Sequence, residues 1–465
     1  MATAPGRGAL AVVRLSGPTA RAIARRIGVT ADLTPRHATR VTLREPTGAA
    51  RADETGSAKV VTLSAHDTQG APIDDALAIF FPGPNSPTGE DLVEFSVHGG
   101  SYVSAAVLAA LVSAGARPAV AGEFTERAVR HGKLDLLQAE AVADLIDARS
   151  SATHRTALRQ LSGALSRRLG ELREALIEVE ALIAYEIDFP EEDDGPQPRA
   201  RAVDAANRVI SALAALGATL PAAELAREGV TVVLAGAPNA GKSSLLNALV
   251  GEARAIVSEV PGTTRDAIEV VIDHDPLPLR LVDTAGLRAS EDPLERLGLE
   301  VSARWLARAQ VVLVCGENPD ALREAAAAVA LRTTATQVLV RTKADLAGLD
   351  PTAKDELAAQ AIAVSALTGD GLEALRTALS AAVRRVAPEL PEDLPVVTRA
   401  RHATALAAAR EEVTAFCAAW EADALPAPVA ATHLRAAIHA LDDLTGGIDI
   451  EDVLERVFRS FCVGK

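Results

Sequence analysis

The spacing of apolar residues changes three times along this chain, and each change marks a different kind of structure. Up to about Arg130, short apolar runs of strand length alternate with turn signals. The runs are Ala9-Leu-Ala-Val-Val-Arg14, Lys59-Val-Val-Thr-Leu63, Ala76-Leu-Ala-Ile-Phe-Phe81 and Leu92-Val-Glu-Phe-Ser-Val97, broken by pieces such as Phe81-Pro-Gly-Pro-Asn-Ser-Pro87. β-Branched and aromatic residues bounded by Pro and Gly predict strands, so this part reads as mixed α/β. From Lys133 to about Leu220 the spacing becomes helical. Leu134, Leu137, Ala141, Leu145 and Ile146 recur on one face, as do Leu172, Leu176, Val179 and Ile183. The acidic, Pro-containing piece Asp188-Phe-Pro-Glu-Glu-Asp-Asp-Gly-Pro196 predicts a loop. From about Arg227 to Pro388 strand and helix patterns alternate, as in a parallel doubly wound sheet. After Pro391 the pattern is helical again. An α/β domain is therefore expected to sit inside a helical one.

Length and composition fit this picture. A chain of 465 residues is too long for one core. At 49% hydrophobic it is globular, and with 3% aromatic residues its cores must be filled by Leu, Val and Ile. The net charge of −15 argues against backbone-driven nucleic-acid binding, which needs a basic surface, but leaves RNA docking at a local patch open. Cys315, Cys417 and Cys462 have no disulfide or zinc spacing, which fits a reduced compartment. No signal peptide or bilayer-length apolar run is legible, so a cytoplasmic protein with no membrane association is expected.

The candidate chemistry lies in the alternating part. Gly236-Ala-Pro-Asn-Ala-Gly-Lys242-Ser243-Ser244 fits G-x-x-x-x-G-K-[ST], between the apolar run Val230–Ala235 and the helix-like Leu245-Leu-Asn-Ala-Leu-Val250. A strand, a glycine loop and a helix N-terminus make a phosphate cradle. Backbone N–H groups from Asn239, Ala240, Gly241 and Ser244 face inward, Lys242 reaches the β/γ-phosphates, and the Ser243 hydroxyl can ligate Mg²⁺. Further signals follow in order. Pro261-Gly-Thr263-Thr264-Arg-Asp266 supplies a switch threonine. Leu279-Arg-Leu-Val-Asp283-Thr284-Ala285-Gly286 is a strand ending in Asp-x-x-Gly, with Asp283 toward Mg²⁺ and the Gly286 N–H toward the γ-phosphate. Val338-Leu-Val-Arg-Thr342-Lys343-Ala-Asp345 places a carboxylate against the guanine N1–H and N2–H, and Ser365, Ala366 and Leu367 supply backbone to O6. Each motif alone is weak. Together they predict GTP rather than ATP.

Two positions depart from expectation. The usual Asn of the guanine motif is Thr342, which weakens one base contact and leaves the discrimination to Asp345. Leu287 stands where a Gln would orient the attacking water, so hydrolysis needs another arrangement. Asn239 and a cation could supply it in place of an arginine finger, or the carboxylates Glu291, Asp292 and Glu295 could.

The whole set resembles the MnmE (TrmE) family of tRNA-modification GTPases. Beyond the GTP motifs, the resemblance rests on Pro5-Gly-Arg-Gly8, the Phe81–Asp91 segment, His98-Gly-Gly100, Gly122-Glu-Phe-Thr-Glu-Arg-Ala128, Lys133-Leu-Asp-Leu, Gln138-Ala-Glu-Ala, Ile187-Asp-Phe-Pro190 and Phe461-Cys462-Val-Gly-Lys465. It implies a multidomain α/β protein with an N-terminal α+β folate-binding and dimerisation domain (1–130). It also implies a discontinuous helical domain (131–227 and 388–465) and an inserted Ras-like P-loop GTPase domain (228–387). It implies K⁺ at Asn239, Ser258, Val260 and Thr263, Mg²⁺ at Ser243 and Thr264, and Glu295 positioning the hydrolytic water. 5-Formyltetrahydrofolate, an analogue of the donor 5,10-methylenetetrahydrofolate, would meet Arg14, Glu94, Lys133 and Lys465. Cys462, on the apolar terminal helix Asp452–Cys462, becomes a candidate catalytic thiol. The implied activity is K⁺-dependent GTP hydrolysis by a homodimer. With an MnmG (GidA)-type FAD protein in a heterotetramer, it would add an (carboxymethyl)aminomethyl group at carbon 5 of the tRNA wobble uridine. The rival reading is a regulatory GTPase switch at the ribosome or a membrane, with a non-catalytic dimerisation domain. One family feature is short here: only Met1-Ala-Thr-Ala precedes Pro5, so either the first strand of the N-terminal sheet is largely missing or the start codon is assigned too far downstream.

Overall fold

The computed structural model describes residues 1–46, 70–188, 199–256, 268–283, 304–346, 359–387 and 395–446, apart from positions 5, 31, 149, 253 and 254. The strand expected at 59–63, most of the loop expected at 188–196 and the terminal helix at 452–462 lie outside these residues. The chain divides into two compact units, Met1–Ala143 with the segment from Asp442 onward, and Asp144–Leu441.

The first unit is built on four antiparallel strands, β1 (Leu10–Ser16), β2 (Thr39–Arg44), β3 (Pro72–Phe81) and β4 (Leu92–His98), in the order β1-β4-β3-β2. Strand side chains alternate between faces. Ala11, Val13 and Leu15, Val93, Phe95 and Val97, Ala76, Ala78 and Phe80, and Val41 and Leu43 all fall on one face and are buried. Helices α1 (Ala20–Arg26) and α2 (Ser101–Ser113) close that face with Ile23, Ala24, Val107, Ala110 and Leu111. The sequence reading missed β2, although Thr39-Arg-Val-Thr-Leu-Arg44 alternates strictly. The first residues run beside the edge strand: the Ala2 N–H donates to the Val12 carbonyl at 2.7 Å and the Val12 N–H to Thr3 Oγ1 at 3.1 Å. Helices α3 (Glu123–Arg130) and α4 (Leu136–Ile146) follow. On α4, Leu137 and Ala141 are buried as the spacing predicts, but Ile146 is exposed and Leu136 takes a core position instead.

The second unit holds helices α5 (Ser151–Leu161), α6 (Ala164–Asp188), α7 (Arg199–Gly217) and α8 (Leu220–Glu228). The predicted stripe on α6 is buried at Leu172, Leu176, Val179 and Ile183; α7 buries a stripe of its own at Val203, Ala206, Val209, Leu213 and Leu216. Far along the chain, α12 (Ala400–Glu421) packs on α7 and buries Leu406, Ala409, Val413 and Phe416, and α13 (Ala427–Thr445) follows it. The two helical stretches are cross-linked by Arg199–Asp423 and Arg399–Asp144, each at 2.7 Å, and by Arg435–Glu180. Arg199–Glu228 is, by length and hydropathy alone, apolar enough to cross a bilayer. Its α7 part instead turns its apolar stripe into this bundle, and a break at 218–219 divides it from α8.

Between the helical stretches lies a seven-stranded sheet in the order β11-β10-β9-β5-β8-β7-β6. Its members are β5 (Val230–Gly236), β6 (Ala255–Ile256), β7 (Ile268–Ile272), β8 (Leu279–Asp283), β9 (Val311–Gly316), β10 (Thr336–Arg341) and β11 (Ile362–Ala363). The five strands from β11 to β8 are parallel, while β7 pairs antiparallel with both β8 and β6. The expected parallel pattern holds for those five strands, and the antiparallel edge was not anticipated. The link from β7 to β8 is too short for a parallel crossover, which needs about a dozen residues or more. Helices α9 (Lys242–Glu252) and α11 (Leu372–Val386) cover one face, and α10 (Pro319–Ala330) the other. β5 is therefore buried on both sides, which explains its unbroken apolar run.

Candidate nucleotide site

Parallel strands put their carboxyl ends, and the loops that follow, along one edge of the sheet. The loop after β5 turns tightly into α9. Gly236 has φ of 152°, and a Cβ there would lie 2.2 Å from the Cys315 carbonyl oxygen of β9, so no larger residue fits without moving backbone. Asn239 (φ 62°) and Gly241 (φ 78°) take the left-handed conformation that carries the loop around. Asn239 is exposed at the loop tip.

The two polar side chains that open α9 are already aimed. Lys242 is 5% exposed, and its Nζ donates to the carbonyls of Gly236 (2.9 Å) and Ala237 (2.8 Å). Burial lowers its pKa, and the Asp283 carboxylate opposes that shift. The Cys315 thiol beneath is pushed up to about 12 by burial and so stays neutral. Ser243 Oγ donates to Asp283 Oδ2 at 2.5 Å, and Asp283 is fully buried at the end of β8. A hydroxyl and a carboxylate held together at a helix N-terminus are hard oxygen donors of the kind Mg²⁺ takes, so the residues present fit that ion.

A cavity of about 130 Å³ adjoins the cradle, lined among others by Gly241, Thr342, Lys343, Asp345, Ala366 and Leu367. Three loops meet there, those after β5, β10 and β11. Asp345 Oδ1 accepts from the Ser365 hydroxyl at 2.6 Å, which holds the carboxyl below its ordinary pKa. Lys343, at φ 55°, is ion-paired with Glu317 at the end of β9. Sequence reasoning missed Glu317, which carries no motif. It also gave Ser365 only a backbone role, whereas its side chain orients Asp345.

The other expected site residues are distributed as follows. Arg14 and Glu94 are cross-strand partners on the sheet face away from the core, with Arg14 Nε donating to Glu94 Oε2 at 2.9 Å. Lys133 is exposed just past α3, its N–H donating to the Ala128 carbonyl at 2.8 Å. Ser258, Val260, Thr263, Thr264, Thr284, Ala285, Gly286, Glu295, Cys462 and Lys465 lie outside the described residues. A charge cluster around the buried Glu123 of the first unit was not anticipated. Glu123 accepts from Arg117 Nη2 at 2.6 Å, Arg127 Nη2 at 2.7 Å and the Val120 N–H at 3.0 Å. Arg127 reaches on to Glu90 at 2.5 Å, joining two segments that sequence showed only as separate motifs.

Strand, glycine loop, buried lysine and helix N-terminus at the carboxyl edge of a doubly wound sheet define a P-loop nucleotide-binding protein. The model of the GTP-binding protein TrmE N-terminus matches residues 1–133, and that of the MnmE helical domain matches residues 136–462. The chain is 42% identical to the tRNA modification GTPase MnmE of Azoarcus sp. (strain BH72), covering 100% of this chain and 97% of that protein. It is 46% identical to the MnmE of Acidiphilium cryptum (strain JF-5), over 84% and 86% of the two chains. The chain belongs to the MnmE family of tRNA modification GTPases. Among solved structures, the G domain of T. maritima FeoB is 27% identical over 33% of this chain and 98% of its own, at a TM-score of 0.26 too low to carry an argument.

Proposed function

We propose that this protein hydrolyses GTP to open and close its α/β domain during modification of carbon 5 of the tRNA wobble uridine. The observation that supports it is the meeting of a phosphate cradle with a cavity whose polar wall, Asp345 braced by Ser365, offers a carboxylate to a base edge bearing two N–H donors. Lys242 would leave its two loop carbonyls for the β/γ-phosphates, and Ser243 would turn from Asp283 to the cation. Mg²⁺, when bound, would offset the charge that develops as the bond from γ-phosphorus to the bridging oxygen breaks. Thr264 would complete the Mg²⁺ set and Glu295 would position water. Asn239, with Ser258, Val260 and Thr263, would hold K⁺ where a second protein would otherwise insert an arginine.

The division is 1–130, 131–227 with 388–465, and 228–387. The first domain dimerises and binds the folate donor at Arg14, Glu94, Lys133 and Lys465, with Cys462 as a candidate thiol. The partners are tRNA and an MnmG-type FAD protein, and the setting is the cytoplasm. The Arg14–Glu94 pair supports the folate part, since it sets a carboxylate and a guanidinium side by side on one sheet face. Phosphate release from GTP and ATP in KCl and in NaCl tests the core of this. Hydrolysis of GTP alone, faster in K⁺, is expected. Equal rates with ATP would sink the base reading, and equal rates in Na⁺ would sink the role of Asn239.

A further inference from the structure

Thr342 occupies the position where the guanine motif ordinarily has an amide, and its surroundings give the hydroxyl a different task. The residue is 4% exposed. Its N–H donates to the Gly316 carbonyl at 2.9 Å, which fixes the backbone at the end of β10 to the end of β9. Its Oγ1 lies 2.8 Å from the Ala240 carbonyl in the phosphate loop and 3.3 Å from the Gly316 carbonyl. Both neighbours are acceptors, and a threonine hydroxyl has one proton. That proton is committed to the phosphate loop, with the Gly316 carbonyl as a second, longer acceptor. Nothing is left to donate to a base acceptor such as N7 or O6. Thr342 also packs closely on the loop: a Cβ added at Gly241 would lie 3.5 Å from Thr342 Cβ.

We propose that Thr342 is a positioning residue that ties the phosphate loop to the base cavity and does not read the base. This rests on the nucleotide site proposed above. Base recognition then falls on Asp345 and on backbone groups of the loop after β11. An amide at this position would have two protons and could do both tasks, whereas the threonine can do only one. The consequence is a separation of effects. Loss of the hydroxyl should loosen the cradle around every nucleotide equally and leave the preference among bases untouched.

The test uses the full chain, with GDP and 7-deaza-GDP as paired probes in isothermal titration. 7-Deaza-GDP differs from GDP only in lacking the N7 acceptor. Thr342→Val removes the hydroxyl at nearly constant volume. Both nucleotides are expected to bind Thr342→Val about threefold to tenfold more weakly, the loss of one ordinary hydrogen bond. The ratio of the two dissociation constants should stay within about twofold of the wild-type ratio, since uncoupled groups leave a double-difference near unity. Thr342→Ser keeps the hydroxyl and guards against a folding defect. It should retain wild-type affinity for both probes within about threefold. A ratio that changes by more than about threefold in Thr342→Val means the hydroxyl reads the base, and overturns the proposal. Unchanged affinity for both probes in Thr342→Val overturns it too, because no tie was lost. If GDP fails to bind the wild-type chain, the nucleotide reading itself has failed, a result distinct from either.

Discussion

The buried carboxylate of Glu123 sets a pH dependence that can be worked through from its surroundings. Its side chain is 8% exposed, and burial alone would raise its pKa. The hydrogen bonds from Arg117, Arg127 and the Val120 N–H outweigh burial and bring it from 4.5 down to about 2. A pKa lowered in the folded state means that the unfolded chain binds the proton more readily. The stabilisation is therefore complete above the unfolded pKa and is lost as pH falls through the folded one. Moving the pKa from 4.5 to about 2 corresponds to about 3 kcal/mol, of which about 2 kcal/mol is gone by pH 3. The perturbation is Glu123→Gln, which keeps the shape and removes the titrating group. Urea unfolding followed by hydrogen exchange in β1 and β4 peptides reports on the first unit by itself, which matters because a chain of two units need not unfold in one step. Between pH 7 and pH 3 the stability difference between wild type and variant should shrink by about 2 kcal/mol. A difference that stays constant over that range would refute the assignment of the acid sensitivity to Glu123.

Three other perturbations follow from the geometry. Gly236→Ala forces a Cβ to within 2.2 Å of the Cys315 carbonyl at a φ of 152°; the loop must shift, and nucleotide affinity should fall at least tenfold, with a strain cost of about 1–3 kcal/mol in thermal unfolding. Asp345→Asn exchanges an acceptor for a mixed group while Ser365 remains beside it. GTP affinity should fall about tenfold to a hundredfold and xanthosine triphosphate should gain, as competition titration would show. Gly99→Ala places a Cβ 2.4 Å from the Gly8 carbonyl and should destabilise the edge of the first sheet by about 1–3 kcal/mol, visible as faster exchange in β1.

What the sequence disclosed depended on whether a feature is local. The phosphate loop was legible because its whole chemistry sits in nine consecutive residues between a strand and a helix. The helical stripe on α6 was legible because period alone determines which face is buried. The antiparallel edge of the second sheet was not, since the motif order Gly-loop, Asp-x-x-Gly, Lys-x-Asp is silent about the direction of β7. Only the short β7–β8 link betrays it. The cluster of Glu90, Glu123 and Arg127 was hidden for a different reason. Its members sit in two segments that sequence shows as unrelated motifs, and a charge on an isolated stretch reads as solvated surface.

Thr342 shows the limit most sharply. Read along the chain, it is a guanine motif with one letter wrong, and the natural conclusion is a weakened base contact. That conclusion assumes the side chain faces the base. In the folded protein the hydroxyl faces the Ala240 carbonyl, 102 residues away in sequence. The substitution is then a change of task rather than a loss of strength. An unpaired hydroxyl would be costly at a site this buried, so the phosphate loop takes the donor first. On the proposal made above, the base receives only what Asp345 and the backbone can give. Nucleotide affinity and base preference are thereby assigned to different residues, and paired probes on a single variant can pull them apart.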